Sequence, residues 1–327
     1  MSGYDRLSQW LLPVGVLLAL LAGLTIPDPG ATLAAVSLGP LDVTSMSVIV
    51  IFLISGIAIH GATLHLTGLA RVAVIVCVLN LVLAPTLAGL LLTVVTLPTG
   101  LVFGLAVMIS VPTTLSSAAV LTQVAGGDQA WGTALTVVCV FAGSITAPLA
   151  VSLLLSAEVI VPAGPLLLRL VLLVLVPLAV GNLLARVLGW RVNRFWRLIP
   201  SLGVIVLAWV TVSESAETVH STPGQQLLLA AMLVIGGHAV MLLLARIASA
   251  GLPAERAIPA FLVTAQKTLP LALTVIAAVA ALVPELQPYA ADAVVVAVLW
   301  HFLQLLVDGT LAARWGHRVV STPTVAP

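Results

Sequence analysis

The chain has 327 residues, of which 61% are hydrophobic and 7% are charged. Soluble domains carry about 25% charged residues, so this composition excludes an ordinary soluble protein. The formal net charge of +1 offers no basic surface of the kind that binds nucleic acid. Apolar runs of about 17 to 25 residues recur along the whole length. They predict an all-α polytopic membrane protein whose main partner is the lipid bilayer.

Ten candidate membrane spans follow from these runs and from the Gly, Pro and charged residues between them. They cover about 9–26, 44–60, 69–93, 100–124, 129–155, 165–187, 198–213, 226–249, 255–282 and 290–313. Ten spans divide into two groups of five with opposite orientation, which is the arrangement of inverted-repeat membrane proteins. The first predicted repeat covers about 9–155 and the second about 165–313.

Basic residues separate cleanly between the two sides of the predicted membrane. The side that holds both termini carries Arg6, Arg71, Arg186, Arg191, Arg194, Arg197, Arg246, Arg256, Arg314 and Arg318. Of the other two basic residues, Arg169 lies one turn inside the sixth span and Lys267 lies in the middle of the ninth. Because cytoplasmic loops collect Lys and Arg, both termini are predicted to be cytoplasmic.

Lys267 lies inside the apolar segment Phe261–Thr274. A lysine at the centre of a membrane helix costs about 2.5 to 3.5 kcal/mol, so it is expected to face protein or a water-filled cavity. Aligning Thr114-Leu115 with Thr268-Leu269 superposes two polar, proline-bearing interruptions, one in each repeat. Such breaks free backbone groups at membrane depth, which predicts a polar site where the two breaks meet.

Other polar side chains have local interpretations. Asp308 is expected to pair with Arg314 or another terminal arginine, and His238 is expected to be a satisfied core residue. Cys77 and Cys139 are typical of small core residues rather than of a disulfide or a metal site. The spacing of the histidines indicates no metal ligands.

Five motifs together resemble the bile acid:sodium symporter family, solute carrier family ten, and most closely the branch of its member seven and bacterial relatives. They are Asn80-Leu-Val-Leu-Ala-Pro85, Pro112-Thr-Thr-Leu-Ser-Ser-Ala-Ala-Val-Leu-Thr122, Gly126-Gly-Asp128, Gln266-Lys-Thr268 and Trp300-His301. The resemblance implies ten transmembrane helices in two inverted repeats, with helices four and nine broken and crossing near the membrane centre. It also implies a panel domain of helices one, two, six and seven, and a core domain of the other six.

The same resemblance implies an organic anion as substrate and sodium as the usual coupling ion, and it suggests which residues line the site. The substrate- or ion-binding set is Asn80, Ser116, Ser117, Thr136, Gln266, Lys267 and Thr268. The acidic ligand of sodium-coupled members falls at Leu262, and a second hydroxyl ligand falls at Gly132. Two oxygen ligands are thus missing from a site that should gather several.

Two roles for Lys267 remain open from the sequence. Its ammonium can replace the bound cation by donating to freed carbonyls, or it can exchange a proton during transport. His301 is a further proton or substrate contact. The coupling ion, sodium or proton, is left open, and no cofactor or metal centre is predicted.

The predicted function is secondary active transport of a small organic anion or related metabolite by alternating access. Residues 1–327 form a single transmembrane transporter domain, with 314–327 as a short cytoplasmic tail, in a bacterial inner (plasma) membrane. A non-transporting sensor or regulator on the same fold is the alternative. An intramembrane enzyme is not expected, because the sequence lacks His-Glu-x-x-His, Gly-x-Ser-x-Gly and paired mid-membrane carboxylates.

Overall fold

The computed structural model describes residues 3–39, 41–59, 68–115, 117–156, 159–189 and 196–321, and these ranges are predominantly helical. The first half contains α1 Gly3–Thr25, α2 Pro27–Ala34, α3 Val43–Ile59, α4 Leu69–Cys77, α5 Ala84–Val94, α6 Thr99–Ser110, α7 Ser117–Val124 and α8 Gln129–Leu154. The second half contains α9 Ala163–Leu170, α10 Val176–Leu188, α11 Ile199–Ser221, α12 Gly224–Ser249, α13 Ala254–Ala265, α14 Leu269–Leu282 and α15 Ala290–Ser321. Strands β1 Ser37–Leu38 and β2 Leu41–Asp42 form one short antiparallel hairpin.

Seven helical stretches within the described ranges are long and apolar enough to cross a membrane, and a bent pair of helices raises the number to eight. They are Leu69–Val94, Gln129–Leu154, Ala163–Leu188, Ile199–Glu217, Gly224–Ser249, Ala254–Leu282 and Pro284–Gly316, with Val14–Thr25 plus Pro27–Ala34 as the bent pair. Val43–Ala58 and Thr99–Ser110 are shorter apolar helices. The chain is therefore an integral, polytopic helical membrane protein, as its composition predicts.

Two spans contain a π-helical segment just before a proline. Val78–Leu83 joins α4 to α5 ahead of Pro85, and Val171–Leu175 joins α9 to α10 ahead of Pro177. Within the first segment the bonding shifts by one residue, so the Ala84 N–H donates to the Leu79 carbonyl. Pro85 has no N–H to continue this pattern, and the Asn80 carbonyl is therefore released from the helix.

The two interruptions predicted from the sequence are confirmed as breaks in the helices. Helix α6 ends at Ser110 and α7 begins at Ser117, while α13 ends at Ala265 and α14 begins at Leu269. Pro112 disfavours a helical conformation at Val111, whose ψ is 151°. Pro270 lies in the first turn of α14, where its missing N–H costs nothing.

The helices pack in two groups. In the first group α3 packs against α2, α10 and α11, and α1 packs against α2 and α11. The second group comprises α4, α5, α6, α7, α8, α12, α13, α14 and α15. The two groups also contact each other, chiefly through α11 and α15, and α9 packs against α8 and α14. Glycines allow the closest approach in the first group: a Cβ on Gly56 would lie 2.1 Å from the Leu178 carbonyl oxygen, and one on Gly181 would lie 2.0 Å from that of Leu53. Small residues of this kind let membrane helices come into backbone contact.

Candidate functional site

The two helix breaks meet each other in the interior of the second packing group. The Thr268 N–H donates to the Pro112 carbonyl at 2.8 Å, which joins the α13–α14 break to the α6–α7 break. Residues on both sides are buried, including Thr113, Thr114 and Gln266. The extended backbone at a break cannot satisfy itself, so its polar groups must find partners across the crossing.

Lys267 fills the space behind the crossing, and its side chain is fully buried. Its Nζ lies 2.8 Å from the Asn80 carbonyl oxygen, 3.0 Å from Asn80 Oδ1, 2.7 Å from the Ile109 carbonyl oxygen and 3.0 Å from that of Val111. An ammonium group has three N–H donors, whereas these four oxygens surround it at hydrogen-bonding distance. We call this set of four oxygens the Lys267 cage.

Local structure explains why the cage oxygens are available. The Ile109 and Val111 carbonyls stand at the C-terminal end of α6, where a helix leaves its last carbonyls without internal donors. That end also carries the negative pole of the helix dipole, which favours a cation. Asn80 contributes the carbonyl that Pro85 leaves free.

The Asn80 side chain ties the cage to the end of α13. Its Nδ2 donates to the Thr264 carbonyl at 2.9 Å and to the Gln266 carbonyl at 3.3 Å, while its Oδ1 accepts from Lys267. Asn80 is fully buried. One amide side chain therefore satisfies two carbonyls released by the α13 break and also holds the ammonium.

Gln266 points to the other broken helix. Its Oε1 accepts hydrogen bonds from Thr114 Oγ1 at 2.8 Å and from Ser117 Oγ at 2.9 Å. The Thr114 and Ser117 hydroxyls also contact each other, and Thr114 Oγ1 accepts the Ala118 N–H at the start of α7. Within the described ranges, Gln266 Nε2 is buried without a hydrogen-bond partner.

Gln304 on α15 holds the backbone of Lys267 from the opposite side. Its Oε1 accepts the Lys267 N–H at 2.9 Å, and its Nε2 donates to the Lys267 carbonyl at 2.7 Å. The same Nε2 lies 2.9 Å from His301 Nδ1. Gln304 was not among the residues predicted from the sequence. Its position three residues after His301, in an otherwise apolar helix, could have indicated a role at the site.

A narrow cavity lies on the side of the crossing away from the cage, between the two packing groups. It has room for water-sized molecules only. Its lining comprises Ile51, Phe52 and Ser55 of α3, Val204 of α11, Val140 of α8, the break residues Thr113, Thr114, Leu115, Ser117, Thr268 and Pro270, and His301. The α7 and α14 N-termini, which carry the positive dipole ends, begin at this lining.

The predicted site residues divide into three sets. Hydrogen bonds bring together Asn80, Ser117, Gln266 and Lys267, with Thr268 joined through its backbone and His301 joined through Gln304. Thr136 on α8 is buried, but no hydrogen bond within the described chain joins its hydroxyl to the others. Ser116 lies outside the described residues.

The position of the expected acidic ligand, Leu262, has an apolar side chain and also lies in apolar surroundings. Leu262 is fully buried in a cluster with Phe261, Ala265 and Ala245. A Cβ on Gly132 would lie 3.0 Å from the Pro259 side chain, so no hydroxyl fits there without displacement. Neither of these two positions therefore supplies a side-chain oxygen ligand.

The predicted pairing of Asp308 with a terminal arginine is wrong. Asp308 is fully buried and faces His238 of α12, with 3.3 Å between Asp308 Oδ1 and His238 Nε2. Arg314 follows Asp308 by six residues, which places it about 240° around the helix and therefore away from Asp308. His238 likewise is not satisfied as expected, because neither ring nitrogen has a hydrogen-bond partner among the described residues.

Comparison with known proteins agrees with a membrane transporter. The sequence model of the SBF-like CPA transporter family matches residues 9–317. The chain is 27% identical over 333 residues to a protein of Arabidopsis thaliana named "Probable sodium/metabolite cotransporter BASS4, chloroplastic", with 94% of this chain and 73% of the relative covered. A relative of the same name from Oryza sativa subsp. indica is 26% identical over 331 residues, covering 92% of this chain and 75% of the relative.

These matches extend over nearly the whole chain and include both helix breaks. They confirm the resemblance to bile acid:sodium symporters at the level of the wider family, and they identify a transporter rather than an enzyme. The chain therefore belongs to the SBF-like CPA transporter family.

Proposed function

We propose that the protein is a secondary active transporter of a small organic anion or related metabolite that works by alternating access. Family membership and the cotransporter names of the plant relatives support transport. A cavity between two packing groups, lined by the residues of two helix breaks, supports a substrate site at that interface. Movement of one group against the other would open this site, which has room only for water in the present conformation.

The proposed architecture is the finer arrangement expected from the resemblance. Ten transmembrane helices would form two inverted repeats, with α6–α7 as the broken fourth helix and α13–α14 as the broken ninth. The first packing group would be the panel and the second the core. Cytoplasmic termini, the bacterial plasma membrane and the member-seven branch belong to the same proposal.

The proposed substrate is anionic because of what lines the cavity. The α7 and α14 N-termini favour negative charge. Thr113 Oγ1 and His301 Nε2 are buried there, and within the described chain neither has a hydrogen-bond partner, so both are available to a polar ligand. Among the described residues, no acidic side chain lines the cavity. Thr136 and Ser116 remain proposed contacts, together with Ser117, Gln266 and Thr268.

The Lys267 cage is the observation that carries the proposed coupling. Four oxygens around one nitrogen form a cation site, and the ammonium occupies it permanently because it is covalently attached. Hard cations need several oxygen ligands, which here are already engaged by Lys267. We propose that Lys267 replaces the coupling sodium that the names of the plant relatives imply for those proteins.

Uptake into proteoliposomes tests this function. The full chain is reconstituted and loaded with small unlabelled carboxylates, and exchange for the labelled compounds is followed in sodium, potassium and choline buffers. We expect exchange of at least one carboxylate at equal rates in the three buffers, since the tethered ammonium needs no replacement. Sodium-dependent exchange contradicts the role of Lys267, and tight binding without exchange favours the sensor.

A further inference from the structure

The His238–Asp308 pair lies outside the crossing and has no role in the site described above. Asp308 has 0% of its side chain exposed and His238 has 2%, and 3.3 Å separates Asp308 Oδ1 from His238 Nε2. Neither Asp308 oxygen and neither His238 ring nitrogen has a hydrogen-bond partner among the described residues. A buried ionisable residue in a membrane helix is most often functional.

The pair lies within two long helices, with His238 near the middle of α12. His238 is the fifteenth residue of α12, ~21 Å from the first residue of that helix and ~17 Å from its last along the axis. One turn away, the buried neighbours include the apolar Val234 and Met241 on α12 and Leu305 and Ala312 on α15, and Gln304 on α15 is polar. Trp300 packs so closely on Gly237 that a Cβ there would lie 2.4 Å from the indole ring.

This environment forces the pair to hold a proton. A lone carboxylate in an apolar interior is strongly unfavourable, so Asp308 must be neutralised by its own proton or by an imidazolium at His238. Both solutions place one proton on the pair. Loss of that proton would leave an uncompensated buried carboxylate.

A metal ion fits the pair poorly. Sodium and other hard cations take several oxygen ligands, whereas this pair offers one carboxylate and one imidazole. In the part of the chain that the structure describes, no group of three or more His, Cys, Asp and Glu residues could hold a metal ion. The ligand chemistry of the pair is therefore that of a proton.

Few other titratable groups stand near the pair. Helices α6, α7 and α14, which pack against α15, contain none. On the other packed elements, and on α12 and α15 themselves, most titratable groups lie towards the helix ends. They are Arg71, Glu214, Glu217, His220, Arg246, Glu255, Arg256, Glu285, Tyr289, Asp292 and Arg314. Lys267 and His301 belong to the crossing. Within the described residues, the ion pair of Asp308 is with His238.

Helix α15 connects the pair to the crossing. Asp308 follows Gln304 by four residues and His301 by seven, so the three side chains lie along one face of the helix. Gln304 holds both backbone groups of Lys267, and His301 lines the cavity. A change in the charge of the pair that shifts α15 against α12 therefore acts on the crossing through Gln304.

We propose that the His238–Asp308 pair is the proton-binding site that couples this transporter. The proposal rests on the transport function proposed above and adds the coupling ion. With the cage occupied by Lys267, the pair takes up one proton from one aqueous phase and releases it to the other when α15 moves. Binding converts the carboxylate and imidazole to a neutral acid or an ion pair, and release restores them.

Infrared difference spectroscopy tests proton binding on the purified full chain in lipid nanodiscs, with no substrate present. Spectra in acidic and alkaline buffers report a buried carboxylic acid through its C=O stretch and a buried imidazolium through its ring vibrations. We expect a pH-dependent band that Asp308→Asn abolishes and whose pH midpoint His238→Gln shifts. Asp292→Asn, on the same helix, retains that band. If Asp308→Asn fails to fold, the pH midpoint of the band in His238→Gln tests the proposal instead, because it should differ from that of the parent.

Three results would overturn the proposal. The band can survive Asp308→Asn in a folded protein, the carboxyl and imidazole bands of the pair can both stay unchanged over the whole pH range, or sodium at constant pH can displace the proton. Once a transported carboxylate is known, Asp308→Asn should lose accumulation driven by a pH gradient and keep exchange at equilibrium. A chain that shows the band but exchanges none of the carboxylates contradicts the proposed transport and retains the proton site.

Discussion

The Asn80 side chain joins the π segment of Val78–Leu83 to the break between α13 and α14. It bonds to the two carbonyls at the end of α13 and to the ammonium of Lys267. The motif around Asn80 was recognisable in the sequence, but its partners were not, because they lie more than 180 residues away in the chain. Gln304 was missed for a different reason, since a neutral amide in an apolar helix shows no charge that needs explaining.

Replacement of Asn80 by alanine should destabilise the protein. The change removes three buried hydrogen bonds, one of them to a charged group, and leaves the Thr264 carbonyl without its donor. We expect a loss of about 2 to 4 kcal/mol in the free energy of unfolding, measured by denaturant titration in detergent. Thr133→Ala is the matched control, because the Thr133 hydroxyl bonds only within its own helix. Equal losses in both variants would contradict the linking role of Asn80.

At the scale of elements, prolines decide where backbone carbonyls become available. Pro112 and Pro270 flank the two breaks, and their effect on the helices was predictable because a proline excludes the helical pattern around it. The π segment at Val78–Leu83 was not predictable in the same way. Pro85 could have been accommodated by an ordinary kink, and only packing against Lys267 makes the freed Asn80 carbonyl useful.

The two π segments provide a matched pair of variants. Pro85→Ala restores a backbone N–H that can donate to the Asn80 carbonyl, so it competes with Lys267 for that oxygen. Pro177→Ala restores a backbone N–H that faces the Leu172 carbonyl, away from the cage. We expect Pro85→Ala to accelerate amide hydrogen exchange at residues 266–268 and Pro177→Ala to leave it unchanged. Identical exchange in both variants would show that the Asn80 carbonyl does not depend on Pro85.

For the whole molecule, composition and apolar periodicity were sufficient to predict a polytopic helical membrane protein. The positions of the two breaks, Lys267 between them and several of its neighbours also followed from the sequence and the family resemblance. The pairing of Asp308 with His238 did not follow, because the two residues are 70 positions apart and Arg314, the expected partner, lies on another side of the helix. Tertiary packing alone determines which buried charges face each other.

The described interior thus contains one lysine whose Nζ lies in a cage of oxygens and one aspartate that faces a histidine. The proposed coupling requires that the Lys267 ammonium acts as a permanently bound cation. A cage vacated by a smaller side chain should then accept a free cation, whereas a cage filled by an apolar side chain of similar length should not. Lys267→Ala and Lys267→Met make this comparison within one position.

The most direct measurement is the thermal stability of these two variants and the parent in sodium and in choline chloride. We predict that sodium raises the Tm of Lys267→Ala and leaves the Tm of the parent and of Lys267→Met unchanged, because a bound ligand stabilises only a protein with a vacant site. Sodium stabilisation of the parent, or the same response in all three proteins, would contradict the identification of Lys267 as a tethered cation.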